Sequence, residues 1–292
     1  MVIKAFLDYL LYERNYSERT VAIYGTNIMQ FSRFIREKSV ADITEMKPET
    51  IREWVFSLME KGYSSTSVNN KLSSLRSFYK YLLKQGVITV TPVRKVVGPK
   101  NKRPLPAFYK ESEMDRVLDD IDFGEGYIGC RDRLMIEMFY NTGIRLSELI
   151  DLDDSNIDIS TSLIKVTGKR NKQRLIPFGE KLNSELLCYI SIRDKTIPLK
   201  SEAFFVRKDG KRLSKSIVGY VVRKYLSKVV TLKKRSPHVL RHTFATAMLN
   251  NESELGAIKE LLGHENLATT EIYTHTTFKE LKKVYKQAHP RN

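Results

Sequence analysis

The stretch SPHVLRHTFAT, residues 236–246, holds two of the five histidines in the chain together with an arginine. Ser236 followed by Pro237 reads as a helix N-cap with proline at the first helical position. His238 and Arg241 then lie three apart on one face of the opening turns. Leu240, Phe244 and Ala247 fall on a neighbouring face suited to a core. The unbonded amides and the dipole of a helix start already favour an anion. An arginine and a histidine added there make a site able to grip a phosphate. A zinc site built on His238 and His242 would need a third ligand, and for a metalloprotease a glutamate where Val239 stands. No metal is therefore expected, and His242 by itself reads as a polar helix residue.

The bulk charge fits a polyanionic partner. The 292 residues carry 50 lysines and arginines against 34 acids, a formal net charge of +16. Up to Pro104 there are 18 basic and 9 acidic residues, and beyond it 32 and 25, so both parts are basic. An excess of this size points to nucleic acid or an anionic surface. No uncharged apolar run approaches the roughly 18 residues of a membrane span. The opening MVIKAFLDYLLYER carries Asp8 and Glu13 within its apolar run, unlike a signal peptide. Cys130 and Cys188 show no metal-type spacing. A reduced, cytoplasmic, nucleoid-associated protein is expected.

Four helices should position the first hundred residues. One covers FLDYLLYE; a second follows Ser17; a third begins near Pro48 and stops at Gly62; a fourth follows Ser64 and Ser65 and ends at Gly86. The fourth carries a basic stripe, with Lys71 before it and Arg76, Lys80 and Lys84 at four-residue steps. That stripe is either a solvated face or a contact to DNA backbone. Residues 1–95 are read as one helical domain, 96–107 as a basic, proline-rich linker (VVGPKNKRPLPA), and 108–292 as a second domain. The second domain mixes helices with SLIKV and RLIPF, a β-hairpin joined by TGKRNKQ, and EAFFV as a further strand. RDRLMIEMFYNT is a helix stopped by Gly143, with RLSELIDL a short helix at once after it. The acidic run DLDDSNID reads as caps.

Four motifs together resemble the tyrosine recombinases, the phage integrase family. HVLRHTFAT and LLGHENLATTEIYTH are similar to the second half of that family's active site, TGIRLSEL to its first arginine motif, and VTGKRNKQRLIPF to its lysine-bearing hairpin. They occur in the family's order and the likeness spans nearly the whole chain. The fold it implies is mainly α in two domains: a four-helix, SAM-like core-binding domain and an α+β catalytic domain with a small antiparallel sheet. No additional arm-binding domain of the lambda-integrase kind is expected, so the likeness is greatest to the Xer group. Three departures stand outside the catalytic positions: Ile144 for a usual leucine, Ala247 for a histidine, and Gly256 within the helix before LLGH.

The resemblance implies a role for six residues. Arg145 and Arg241 would hold the non-bridging oxygens of a scissile phosphate, for which a planar, permanently charged fork is suited; Arg145 has a second reading as a salt-bridge partner of Glu148. Lys169 would protonate the leaving 5′-oxygen, and Tyr273 would attack phosphorus. His238 would accept its proton, and His264 would hydrogen-bond the phosphate or the nucleophile. Arg170, Lys172 and Arg174 would run along DNA backbone. The implied product is a 3′-phosphotyrosine and a free 5′-hydroxyl, made without ATP, metal or any other cofactor. The implied partner is double-stranded DNA at a specific recombination site. The tail, residues 278–288, either docks in a neighbouring subunit of a homo- or hetero-tetramer or packs on its own domain. An activating DNA translocase is a further implied partner. Chromosome dimer resolution, integration or inversion of a mobile element, a non-catalytic DNA-binding role and a type IB-like topoisomerase stay open at this level.

Overall fold

A computed structural model describes residues 2–38, 42–101, 107–168, 171–198, 200–251, 255–262, 284–285 and 287–291. Lys169, Arg170, His264, Tyr273, Phe278 and Leu281 lie outside the described residues. The chain divides into two compact units, Met1–Pro104 and Leu105–Asn292.

In the first unit, helix α1 (Val2–Asp8) runs on through Tyr9–Glu13 as a wider, π-type turn. It is followed by α2 (Glu18–Glu37), α3 (Pro48–Glu60) and α4 (Ser65–Lys84). Ser17 and Ser64 cap α2 and α4 by accepting from the amides of Thr20 and Ser67, which satisfies donors a helix start otherwise leaves unbonded. The apolar stripes meet in a core containing Phe6, Phe31, Trp54, Leu72, Leu75 and Phe78. Phe31 meets Trp54 edge-on at 5.0 Å and Phe6 meets Phe78 at 5.3 Å. Each such buried side chain contributes roughly 1.5–3 kcal/mol.

The stretch expected as a tether starts differently. Val96 is buried in this core, Arg76 donates to its carbonyl at 2.9 Å, and Asn69 donates to the carbonyl of Pro99 at 2.8 Å. Residues 96–101 are thus fastened along α4, because a proline-rich chain leaves its carbonyls free for side-chain donors.

The second unit contains α5 (Glu111–Asp115), α6 (Gly126–Thr142), α7 (Leu146–Ile150), α8 (Glu180–Thr196), α9 (Lys215–Leu226), α10 (Pro237–Asn250) and α11 (Leu255–Leu262). Strands β1 (Ile157–Asp158), β2 (Leu163–Thr167) and β3 (Gln173–Pro177) form an antiparallel sheet in that order. β2 and β3 pair with Ile164 opposite Ile176 and Val166 opposite Arg174. Alternation then puts Ile164, Val166, Arg174 and Ile176 on the buried face.

Two expectations change. α6 begins five residues before Arg131, because Tyr127 is buried and donates to the carbonyl of Val206 at 2.6 Å. EAFFV is buried from Ala203 to Val206 and makes the isolated bridges Asp153–Ala203 and Val206–Arg212 in place of a strand. Two of its carbonyls are taken by side chains, Phe204 accepting from Tyr189 and Arg193 and Val206 from Tyr127 and Arg131, while those of Glu202 and Phe205 accept from the backbone amides of Asp154 and Leu213. In the acidic run, Asn156 accepts from the amide of Asp153, while Asp154 pairs with the buried Arg193.

The described end of the tail lies on its own unit. Tyr285 and Ala288 pack with Phe244, Met248, Ile258 and Leu261. His289 stacks on Phe244 and Tyr285, and Arg291 is held by Asp115 and Asp119.

Gly143 ends α6 with φ +57°. A Cβ there would stand 2.5 Å from Phe244 Cδ1 and 2.9 Å from Leu262 Cδ2. Gly143→Ala should therefore destabilise the protein by about 2–4 kcal/mol, from left-handed backbone strain and overpacking together. Urea unfolding of the full chain measures it, and a change within about 0.5 kcal/mol would refute this close packing.

Candidate active site

Arg241 sits one turn into α10 and is buried, whereas His238 at its start is exposed. Ser236 takes the N-cap position, but its hydroxyl makes no capping bond and is buried without a partner. The start of α10 is instead braced by Tyr109. Its hydroxyl donates to the carbonyl of Lys234 and accepts from the amide of Ser236, while its own amide donates to Thr243. Tyr109 lay in an uninformative stretch of sequence and nothing there announced this role.

The guanidinium of Arg241 donates to the carbonyls of Gly143 and Leu262. Two residues beyond Gly143, Arg145 caps α7: its amide donates to Glu148 Oε2 at 2.9 Å, and its Nη1 donates to Oε1 at 2.7 Å. Arg174, from β3, meets the same carboxylate with both Nη atoms at 2.8 Å and donates through Nε to the carbonyl of Leu261 at 2.9 Å. The contacts close on themselves: Arg145 to Glu148, to Arg174, to the end of α11, to Arg241, to Gly143. Both Leu261 and Leu262 belong to the last turn of α11, whose carbonyls have no helical partner and suit cationic donors. Gly168, the residue before Lys169, joins this group: a Cβ on it would lie 3.5 Å from Glu148 Oε1 and 3.8 Å from Arg145 Nη1.

The electrostatics follow. Burial pushes the Arg241 pKa down to about 9, and the charges of Arg145 and Arg174 push the same way against the attraction of Glu148. Burial of Glu148 would raise its pKa. The bonds and charge of Arg174, and then those of Arg145, outweigh this and hold it at about 2. Three guanidiniums thus gather round one buried carboxylate, an arrangement that favours a further anion. His242, also exposed, is lowered by burial and then by His238 and Arg241.

The sequence-predicted residues divide accordingly. Arg145 and Arg241 come together, with His238 on the same helix start. Arg145 makes the salt bridge to Glu148 that its second reading gave it, and its charge lies close enough to act on Arg241. Arg174 is corrected: it is 8% exposed and spent on Glu148 and Leu261, so it supports the site from within and does not lie along DNA backbone with the turn. Lys172 is exposed. Lys71 is half-buried, held by the amide oxygens of Asn27 and Gln30 at 3.2 and 2.5 Å. Lys80 is exposed, and Lys84 lies 5.1 Å over the Tyr9 ring. Glu148 was legible only as the partner of Arg145, through the spacing in RLSE, and not as the hub of the cluster. Among the described residues no group of three or more metal-ligating side chains gathers, and no helix is long and apolar enough to cross a membrane.

Comparisons with known proteins agree with this architecture. The phage integrase family profile matches residues 108–280, and that of the phage integrase N-terminal SAM-like domain matches residues 3–86. Tyrosine recombinase XerC of Listeria innocua is 38% identical over 291 residues, covering 99% of this chain and 97% of that protein. Tyrosine recombinase XerC of Chlorobaculum tepidum is 35% identical over 313, covering 98% and 93%. Of solved structures, XerA recombinase is 29% identical with a TM-score of 0.51, covering 100% of this chain and 99% of that one. XerH bound to palindromic difH substrate, a post-cleavage complex, has a TM-score of 0.73 at 23% identity, covering 92% and 80%. This chain belongs to the phage integrase family of tyrosine recombinases.

Removing the hub is the direct test of the cluster. Glu148→Ala should cost about 3–5 kcal/mol, since it leaves a buried guanidinium uncompensated. Because the folded pKa of Glu148 lies below its ordinary 4.5, its contribution is fully present above that value. It is lost as pH falls toward about 2. Glu148→Gln should therefore show a flatter acid limb than wild type in urea unfolding; parallel pH profiles would contradict the assignment.

Proposed function

We propose that this chain is an Xer-type site-specific DNA recombinase that cuts and rejoins strands through a 3′-phosphotyrosyl intermediate. The observation that supports this reading most is the meeting of Arg145 and Arg241 around the Glu148 carboxylate. A phosphodiester resists attack because it is anionic and its alkoxide leaves poorly, so the reaction needs charge neutralisation, an aligned nucleophile and an acid. Arg145 and Arg241 take the two non-bridging oxygens and stabilise the charge of the transition state. The Tyr273 phenol oxygen bonds to phosphorus as its proton passes to His238. The bond from phosphorus to the 5′-oxygen breaks, and Lys169 protonates that oxygen. His264 donates to the phosphate. The result is one phosphotyrosyl ester and one 5′-hydroxyl. Attack by a 5′-hydroxyl from the partner duplex runs the same steps backward, so bond energy is retained.

The reading extends to assembly. Four protomers hold two duplexes, Lys71, Arg76, Lys80, Lys84, Arg170 and Lys172 follow DNA backbone, and a DNA translocase activates the complex in the cytoplasmic nucleoid. Exchange of the tail between protomers would require Tyr285 and Ala288 to leave the cluster around Phe244. Chromosome dimer resolution is the role assigned within this reading; integration or inversion of an element is the alternative.

A nicked duplex bearing the chain's binding site, recovered by selecting bound genomic fragments, tests the chemistry. Wild type should give a denaturation-resistant protein–DNA adduct and Tyr273→Phe none. Arg241→Ala and Arg145→Ala should each slow adduct formation by about 10²–10³. Equal adduct yields from wild type and Tyr273→Phe would end the proposal.

A further inference from the structure

The chain has two cysteines, Cys130 on α6 and Cys188 on α8. Both are free thiols, the first half-buried against the core and the second exposed. The two helices run antiparallel against each other, and two contacts bracket the cysteines. On one side the rings of Tyr127 and Tyr189 stack at 5.9 Å with their hydroxyls 3.3 Å apart. On the other, Arg133 donates to Glu185 at 2.6 Å. Cys130 lies one turn from both Tyr127 and Arg133, and Cys188 lies between Glu185 and Tyr189. The helical register therefore sets the two thiols opposite each other.

We infer that Cys130 and Cys188 are a disulfide-forming pair, which a two-electron oxidant of the peroxide class converts to a covalent staple between α6 and α8. The exposed Cys188 thiolate attacks one peroxide oxygen, giving a sulfenic acid and water after proton transfer. Cys130 sulfur then attacks the Cys188 sulfur, the sulfenic hydroxyl leaves, and the Cys130 proton completes a second water. Two thiols and one peroxide thus become one disulfide and two waters, and a dithiol reductant reverses the change. The environment fits the order of events. Burial, and after it the neighbouring Cys188, raises the Cys130 pKa to about 11, which keeps Cys130 protonated while the exposed thiol reacts. The segment the staple would close, residues 130–188, carries Arg145, Glu148, Lys169 and Arg174. This inference does not depend on the recombinase reading, and its test uses no DNA.

The full-length chain is treated with hydrogen peroxide, quenched, unfolded and alkylated, then analysed by intact mass and peptide mapping. Wild type should lose both alkylatable thiols together, lose the mass of two hydrogens, stay monomeric on a non-reducing gel and recover fully with dithiothreitol. Its Tm should rise by roughly 5–10 °C, because the bridge restricts the unfolded chain. Cys130→Ser should instead stop at a dimedone-reactive sulfenic acid on Cys188, with no rise in Tm. Three results would overturn the inference: Cys130 left alkylatable while Cys188 is consumed, a bridge between chains, or an internal bridge that leaves Tm unmoved or lower.

Discussion

The catalytic unit depends on one buried carboxylate. Glu148 accepts from two arginines that arrive from different directions, Arg145 from the cap of its own short helix and Arg174 from the sheet. Without that negative charge, two guanidiniums and the nearby Arg241 would repel one another in a region of low dielectric. With it they can be held close, yet the group still carries more positive than negative charge. The cluster is thereby kept intact while retaining a net positive charge. A site compensated fully by acids would be more comfortable in the free protein and poorer at drawing an anion.

The surrounding elements can be understood as the means of delivering these side chains. α6 stops at Gly143 because only a residue without a Cβ can turn left-handed under Phe244 and Leu262. That stop frees the Gly143 carbonyl for Arg241 and starts α7 with Arg145 at its cap. The last turn of α11 offers its carbonyls to Arg174 and Arg241, so the same arginines that face the site also fix the helix that precedes His264 in the chain. Phe244, three residues after Arg241, packs with the tail through Tyr285 and His289. The site and the tail thus share one helix, α10.

Arginine appears in three physical roles within this one unit. Arg193 is almost wholly buried and satisfied by Asp154, Asp194 and the Phe204 carbonyl, a structural cross-link. Arg174 is a scaffold inside the site. Arg145 is about one-third exposed, at 33% of its side chain, and keeps a face toward solvent while held by Glu148. Exposure and the identity of the partner, rather than residue type, separate these roles. That is why the hairpin arginines read alike in the sequence while one of them, Arg174, proved to face inward.

The sequence by itself determined much of this protein, because its strongest signals are local. Serines and prolines at helix starts, 3.6-residue apolar stripes, the glycine after Thr142 and the two-residue alternation of the hairpin act within a few residues, and the elements form where they point. The charge balance and the four motifs likewise carried the family. The tertiary structure decided what depends on residues far apart in the chain. It made Glu148 a hub rather than a local ion-pair partner, and turned Arg174 inward. It brought Tyr109 under α10, satisfied EAFFV through side chains and scattered backbone bonds instead of a strand ladder, and seated the tail end on its own unit. Each of these is a long-range hydrogen bond or packing contact between groups that no periodicity links, so only the folded chain could choose among the partners that chemistry allowed.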